Sequence, residues 1–360
     1  MKIIHCADLH LDSSMDTHLS ADKARKRRIE LLECFSRMLD YAAANDVEAI
    51  IIAGDLFDHG NISRETADFI RGKMDDNPDI DFFYLKGNHD VSQAVDFSKL
   101  HNVHFFSEKM CSFRLRGNIT VSGMEIGKKG LDDIDGSLCF GEKDFNILTL
   151  HGMVSDYSVK EAYNINIHKL ANRNIDYLAL GHIHSYVEYG IDERGTACYP
   201  GCLESRGFDE TGEHGFVLLD IDETTHLYTR SLIDISKRRS HCIRVDVAGC
   251  DNDFEIIKRI DSALACNGCG ENDMVKLVLC GELSLEINCN EEYIRGRYVD
   301  AYFLFVLKNE IRASFDVDLL AKEQSMRGEF VRIVLSDSSI PKEECMEIIR
   351  CGINAMNGIV

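Results

Sequence analysis

The chain has 360 residues, of which 45% are apolar and 28% charged, and a formal net charge of −21. That length suits one large domain or two unequal ones, and the apolar share is ample for a core. Such acidity counts against a stand-alone module that grips nucleic acid through its phosphates, though not against an enzyme that borrows its grip from a partner or holds metal with its carboxylates.

The first predicted element is a strand, "KIIHCA" (2–7), followed by Asp8 and His10 in "DLH". These polar residues interrupt the apolar stretch a signal peptide needs, and no run reaches the roughly 18 apolar residues of a membrane span. Ile29, Leu32, Phe35, Leu39 and Ala42 recur at helical spacing within residues 22–45. "EAIIIAG" (48–54) is a continuous apolar run, as expected of a strand covered on both faces, and it ends at Asp55. A helix near 63–76 leads to a third buried strand, "DFFYLKG" (81–87), which ends at Asn88, His89 and Asp90. Further strands are expected at 119–126, 145–152, 176–182 and 214–222, with a short helix at 158–173. The expectation is an α/β fold of layered strands with helices outside.

A charged stretch, "SKRRSHC" (236–242), separates a first domain (1–235) from a smaller α+β module (241–335). The module's expected strands are "CIRVDVAG", "VKLVLCGELSLEI" and "EFVRIVLS", and its helical patterns lie near 253–265 and 317–324. The tail (336–360) holds an amphipathic helix at 341–356, opened by Pro341, with Ile348, Ile349, Ile353 and Met356 on one face. Fourteen cysteines scattered through apolar segments read as reduced thiols of a soluble cytoplasmic protein. Cys266 and Cys269 form a C-x-x-C with Cys280 and Cys289 downstream, but the uneven spacing favours simple thiols over a zinc site.

The chemistry is concentrated at strand ends, where sites form in open α/β sheets. Asp8 and His10, Asp55, Asn88 with His89 and Asp90, His151 in "LTLHG", and His182 with His184 in "GHIH" all follow apolar strands. Oxygen and imidazole donors without thiolate suit a divalent ion such as Mn²⁺, Fe²⁺ or Zn²⁺ better than Ca²⁺. Seven donors exceed the needs of one ion. Two ions sharing a carboxylate fit better, and that arrangement serves phosphate-ester cleavage.

In order, "DLH", "GDLFD", "GNHD", "LH" and "GHIH" resemble the calcineurin-like metallophosphoesterase superfamily. With "YPGCLESRGFDETGEHGF" (199–216), they look like its SbcD-type and YhaO-like DNA double-strand-break repair nucleases. The resemblance implies a layered α/β/β/α sandwich with a smaller α+β capping domain that helps select substrate. It places one metal on Asp8, His10, Asp55 and His184, and the other on Asp55, Asn88, His151 and His182. His89 would face the scissile phosphate as proton donor or transition-state stabiliser, with Asp90 orienting it. The implied cofactors are two divalent ions, Mn²⁺ first and Fe²⁺, Zn²⁺ or Mg²⁺ as alternatives. The implied activity is DNA phosphodiester cleavage, as exonuclease on double-stranded ends and endonuclease on single strands. The implied partners are DNA, a second copy of the chain and an SMC-like ATPase with a long coiled coil, and no membrane. Helices near 63–76 and 92–101 are candidates for the dimer contact by the same analogy. Some relatives carry a histidine where Asp58 stands, so that histidine's role is not transferred.

Weaker signals keep two readings. "KARKRR" (23–28) is either a phosphate contact or a solvated helix face, and Arg206 is either a substrate-phosphate ligand or part of a loop ion pair. The segment 317–335 or the tail either docks the ATPase or packs on its own domain. Rival functions are a small-molecule or cyclic-nucleotide phosphodiesterase or phosphatase, and a DNA-end tethering scaffold.

Overall fold

The computed structural model describes all residues except 16–17, 59–61, 91–94, 127–137, 139, 157–161, 285–286, 288, 315 and 357–360. The chain divides into two compact units, Met1–Ser240 and His241–Val360.

In the first unit β1 (Lys2–Cys6), α1 (Ala21–Ala44), β2 (Val47–Ala53), α2 (Arg64–Asp75), β3 (Asp81–Leu85) and β4 (Val103–Phe105) follow in order. Ten strands succeed them: β5 (Cys111–Arg114), β6 (Ile119–Gly123), β7 (Phe145–His151), β8 (Met153–Ser155), β9 (Asn164–Asn166), β10 (Tyr177–Gly181), β11 (Val187–Gly190), β12 (Thr196–Tyr199), β13 (Gly215–Ile221) and β14 (Tyr228–Asp234). They form two six-stranded sheets, ordered β14-β13-β1-β2-β3-β4 and β11-β12-β10-β7-β6-β5. Within them β1, β2 and β3 are parallel, as are β6, β7, β10 and β12, so their carboxyl ends share an edge in each sheet.

Alternation explains why the strands read as unbroken apolar runs. Ile3, Ala49, Ile51, Phe83 and Leu85 face the second sheet and join Ile119, Val121, Phe145, Ile147, Tyr177 and Ala179 in one core. Their neighbours Ile4, Ile50, Ile52, Phe82 and Tyr84 turn the other way, onto Phe35, Met38 and Leu39 of α1 and Ile70 and Met74 of α2. Both faces of these strands are therefore dry. Serine caps start both helices, Ser20 accepting from Lys23 N–H and Ser63 from Thr66 N–H.

The outer face of the second sheet differs from expectation. The helix expected over 158–173 falls partly outside the described residues. The described part is β9 followed by a 3₁₀ turn at Ile167–Lys169, whose Ile165, Ile167 and Leu170 cover Leu148, Leu178 and Leu180. The expected helix at 92–101 likewise falls partly outside the described residues, and 95–101 carry no helix.

The second unit begins within β15 (Ser240–Asp246) and continues with α3 (Asp253–Cys266), β16 (Met274–Cys280), β17 (Glu282–Ser284), α4 (Glu291–Tyr298), β18 (Leu304–Asn309), β19 (Arg312–Ser314), α5 (Val317–Leu320), α6 (Met326–Ser336) and α7 (Lys342–Met356). Strands β15, β16 and β18 form a sheet whose core is completed by Ile256, Ile260 and Leu264 of α3 and Ile294 of α4. "EFVRIVLS", expected to be a strand, is instead the body of α6. Ser325 caps it through Gly328 N–H, and its buried Val331 and Val334 stand one turn apart. They pack with Leu320 and with Cys345, Ile349 and Ile353 of α7 in a small separate core. The expected tail helix is thus one member of a three-helix cluster.

Candidate metal centre

The loops after β1 and β2 are zipped together by backbone: Asp8 N–H donates to Gly54 C=O at 3.0 Å, His10 N–H to Asp55 C=O at 3.0 Å and Leu11 N–H to Leu56 C=O at 2.9 Å. Asp8 (φ 52°), His10 (φ 44°) and Asp55 (φ 51°) all adopt left-handed backbone. Three such non-glycine residues in one small region are uncommon and typical of functional sites. Gly54, at φ +96°, permits the turn, and a Cβ there would lie 2.1 Å from His151 Nδ1. A Cβ on Gly87 would lie 2.2 Å from Asp55 Oδ1, so the "GNHD" loop closes on Asp55 only because that residue is glycine.

All seven strand-end donors converge. His10 Nε2 and His184 Nε2 face each other at 3.2 Å. Asn88 Oδ1 lies 3.0 Å from His151 Nε2 and 3.1 Å from His182 Nδ1. Asp55 Oδ2 is 3.4 Å from His151 Nε2 and 3.8 Å from His10 Nε2, between the two groups. Asp8 takes the His182 backbone N–H at 2.9 and 3.0 Å. The described residues contain three metal-capable clusters: Asp8, His10 and His184; Asp8, Asp55 and His151; and His10, Asp58 and His89.

The donor set suits divalent cations. Asp8 and Asp55 are almost fully buried, at 0% and 2% exposure, and among the described residues no lysine or arginine ion-pairs with either. Buried carboxylates require positive charge nearby. Imidazoles supply some of it. His151 gives its Nδ1–H to Ala53 C=O at 2.9 Å, which leaves Nε2 for the centre.

The titration behaviour is coupled. Burial pushes Asp8 up to about 6, partly offset by His151 and His184. Burial also works against Asp55, but hydrogen bonding and charge from His151 outweigh it and hold the carboxyl near 2. The reciprocal effect of Asp55 and Asp8 overcomes burial at His151 and raises it to about 9. His10 is pushed down to about 4 by burial. His182 is also lowered, by burial and the charge of His151, whereas Glu210 raises His184 against its burial.

His89 lies beside this group, its ring edge-on to His10 with centroids 4.9 Å apart and its backbone N–H on Asp55 Oδ1 at 2.8 Å. The expected orienting contact from Asp90 is not what the structure shows. Asp90 takes the backbone N–H groups of Leu56, Phe57 and Gly87 at 3.3, 2.9 and 2.9 Å and so pins two loops together. The carboxylate beside His89 is Asp58, with Oδ1 at 3.2 Å from Nδ1. Arg206 reaches the site edge, its Nη2 at 3.1 Å from His184 Nδ1 and its Nη1 at 4.0 Å from Asp58. Asp58 and Glu210 carry no site signal of their own in the sequence, although they lie inside "GDLFD" and the loop after "YPG". Glu210 Oε1 lies 2.7 Å from His184 Nδ1.

Other signals resolve differently. Arg27 of "KARKRR" is fully buried and paired with Glu30 and Glu204, and so offers nothing to a phosphate. The thiols of Cys266, Cys269, Cys280 and Cys289 take part in none of the metal-capable clusters found among the described residues.

A two-sheet sandwich with clustered carboxylate, amide and imidazole donors at the carboxyl ends of its strands defines a metal-dependent hydrolase of the phosphoesterase class. Residues 1–186 match the calcineurin-like phosphoesterases, and the chain belongs to that family, whose members bind divalent metal ions and hydrolyse phosphoesters. It is 28% identical over 265 residues to the uncharacterized metallophosphoesterase YhaO of Bacillus subtilis, covering 70% of this chain and 63% of that one. It is 26% identical over 258 residues to the DNA double-strand break repair protein Mre11 of Methanopyrus kandleri, covering 62% of this chain and 54% of the relative. The protein of the same name from Saccharolobus solfataricus is 21% identical over 280 residues, 72% of this chain and 70% of that one. The chain therefore spans less than two thirds of the length of the first two relatives. Among the described residues no helix is long and apolar enough to cross a membrane.

Proposed function

We propose that the protein is a two-metal DNA nuclease of the cytoplasm, a phosphodiesterase cutting double-stranded ends as an exonuclease and single strands as an endonuclease. The observation that carries this reading is the convergence of seven donors from separate strand ends, with His89 set just beside them. One ion would be held by Asp8, His10, Asp55 and His184, the other by Asp55, Asn88, His151 and His182, with Mn²⁺ as the preferred metal. When bound, the pair supplies a nucleophile near neutral pH and offsets charge on the phosphate. The chain's own part begins with Asp55, which shares itself between the two donor groups. Gly54 and Gly87 let the loops close around that carboxylate. Asp58 Oδ1 lies 3.2 Å from His89 Nδ1 and orients the ring. Nε2, turned away from Asp58, then gives the proton to the leaving oxygen.

The relatives named for double-strand break repair support DNA as substrate. On the same analogy the second unit helps select the substrate, two copies of the chain associate, and the α5–α7 cluster docks an SMC-like ATPase. The cluster leaves Leu319, Met326 and Ile333 at 63, 79 and 59% exposure, an apolar surface suited to a coiled coil. Truncation before Val317 is expected to abolish co-purification with a co-expressed ATPase of that class. Retention of the ATPase would remove the cluster from the contact.

The function itself is tested by cleavage of an end-labelled duplex, a single-stranded oligonucleotide and bis-(p-nitrophenyl) phosphate, with Mn²⁺, Mg²⁺ or EDTA. DNA cleavage with Mn²⁺ that stops with EDTA is expected. Cleavage of the small ester alone would favour a small-molecule phosphodiesterase. No cleavage of any substrate would favour a partner-gated site or a scaffold.

A further inference from the structure

We infer that Glu210 is a positioning residue that fixes the ring-nitrogen tautomer of His184 and thereby readies it to hold a metal ion. The inference rests on the two-metal reading above.

His184 Nδ1 has two neighbours with opposite demands. Glu210 Oε1 lies at 2.7 Å and Arg206 Nη2 at 3.1 Å. Guanidinium can only donate, whereas the carboxylate here accepts. If Nδ1 carries the proton, it donates to Glu210, and Nε2 presents its lone pair toward His10 Nε2 at 3.2 Å. If Arg206 donates to Nδ1 instead, the proton moves to Nε2 and blocks the only ring nitrogen that faces the other donors. Glu210 decides between these states in two ways. It takes the shorter contact, and it occupies Arg206 itself, accepting from that residue's backbone N–H at 2.6 Å, Nε at 3.3 Å and Nη2 at 3.1 Å.

The loop holding Glu210 is built to keep it there. Glu210 is only 4% exposed. Its carbonyl accepts from Ser205 Oγ at 2.8 Å and lies 3.2 Å from His214 Nε2. Ser205 Oγ is also 2.6 Å from Ser240 Oγ. At the other end, Cys202 N–H donates to His184 C=O at 3.2 Å. The carboxylate and the imidazole it orients thus belong to one fastened assembly. A conformational search by either group is unnecessary, which is how a supporting carboxylate strengthens a metal site.

The test is Mn²⁺ titration of the metal-free protein, read by the electron paramagnetic resonance of free Mn²⁺, for wild type, Glu210→Ala, Glu210→Gln and the double variant Arg206→Ala/Glu210→Ala. Wild type should bind two ions. Glu210→Ala should weaken one site by about 10- to 100-fold and leave the other nearly unchanged. Removing Arg206 as well should restore much of the loss, because the competing donor is gone. Two-site binding by wild type with unchanged binding in Glu210→Ala overturns the inference alone. A double variant no better than Glu210→Ala assigns the residue to loop folding and also overturns it. Absence of Mn²⁺ binding in wild type overturns the metal reading together with the inference. If Glu210→Ala does not fold, Glu210→Gln and the ¹⁵N spectrum of His184 in wild-type metal-free protein decide: an Nδ1–H ring supports the assignment and an Nε2–H ring refutes it.

Discussion

Replacement of His89 by glutamine is expected to lower DNA cleavage by about 10²- to 10⁴-fold, the range typical of a lost general acid, while both Mn²⁺ sites still fill. The imidazole is not one of the seven converging donors and lies edge-on to His10, with ring centroids 4.9 Å apart. Metal binding should therefore survive its loss. The deficit should depend on the leaving group. A DNA strand leaves as an alkoxide, which needs a proton in the transition state, whereas p-nitrophenolate leaves readily without one. The variant should accordingly be much less impaired on bis-(p-nitrophenyl) phosphate than on DNA, with the loss in kcat and little change in KM. Asp58→Asn should show the same pattern in weaker form, because Asp58 acts by holding the ring at 3.2 Å. Equal deficits on both substrates would mean that His89 stabilises charge and transfers no proton. Loss of Mn²⁺ binding in His89→Gln would place the residue among the metal donors.

The strand-end residues were legible because buried strands and tight turns leave a periodic trace. Each apolar run stops where polar residues begin, and the parallel order of β1, β2 and β3 brings those stops to one edge. Contacts that depend on long-range placement left no such trace. "EFVRIVLS" is a short apolar run, and such a run does not distinguish strand from buried helix. The arbiter is Ser325, whose hydroxyl takes Gly328 N–H and starts a helix. Asp90 is the orienting partner of His89 that the resemblance implies, but its oxygens face three backbone N–H groups. Asp58 reaches the ring because the loops after β1 and β2 are paired, Asp58 N–H donating to Leu11 C=O at 3.2 Å. Glu210 had even less signal, since a glutamate in a polar loop is ordinary until the loop is seen to fold back on His184.

The burial of Arg27 was equally invisible, and it sets the second large expectation: Arg27→Ala should destabilise the first unit by about 3–5 kcal/mol, the loss typical when one member of a buried ion network is removed. Arg27 Nη1 donates to Glu30 at 2.7 Å and to Glu204 at 2.9 Å, and Nη2 donates to Ser205 C=O at 2.5 Å. Arg238 closes the network on Glu30, with Nε at 2.9 Å and Nη2 at 2.5 Å. All four side chains are at most 3% exposed, so water cannot replace a missing guanidinium. In Arg27→Ala, among the described residues Glu204 keeps only the backbone N–H groups of Lys237 and Arg238 within hydrogen-bond distance, with Arg37 at 3.8 Å. Arg27→Lys should recover only part of the loss, because one ammonium cannot reproduce a planar fork aimed at two carboxylates and a carbonyl. The chain contains no tryptophan, so urea unfolding is best followed by far-ultraviolet circular dichroism, with the two units allowed separate transitions. A shift of less than about 1 kcal/mol would reduce the network to the weight of a surface ion pair. The same substitution has a functional reach, because Glu204 and Ser205 directly precede Arg206 in the loop that carries Glu210. Loosening that anchor should weaken Mn²⁺ binding at the His184 side even where Arg27→Ala remains folded. Unchanged metal affinity in a folded Arg27→Ala protein would separate the stability network from the metal centre.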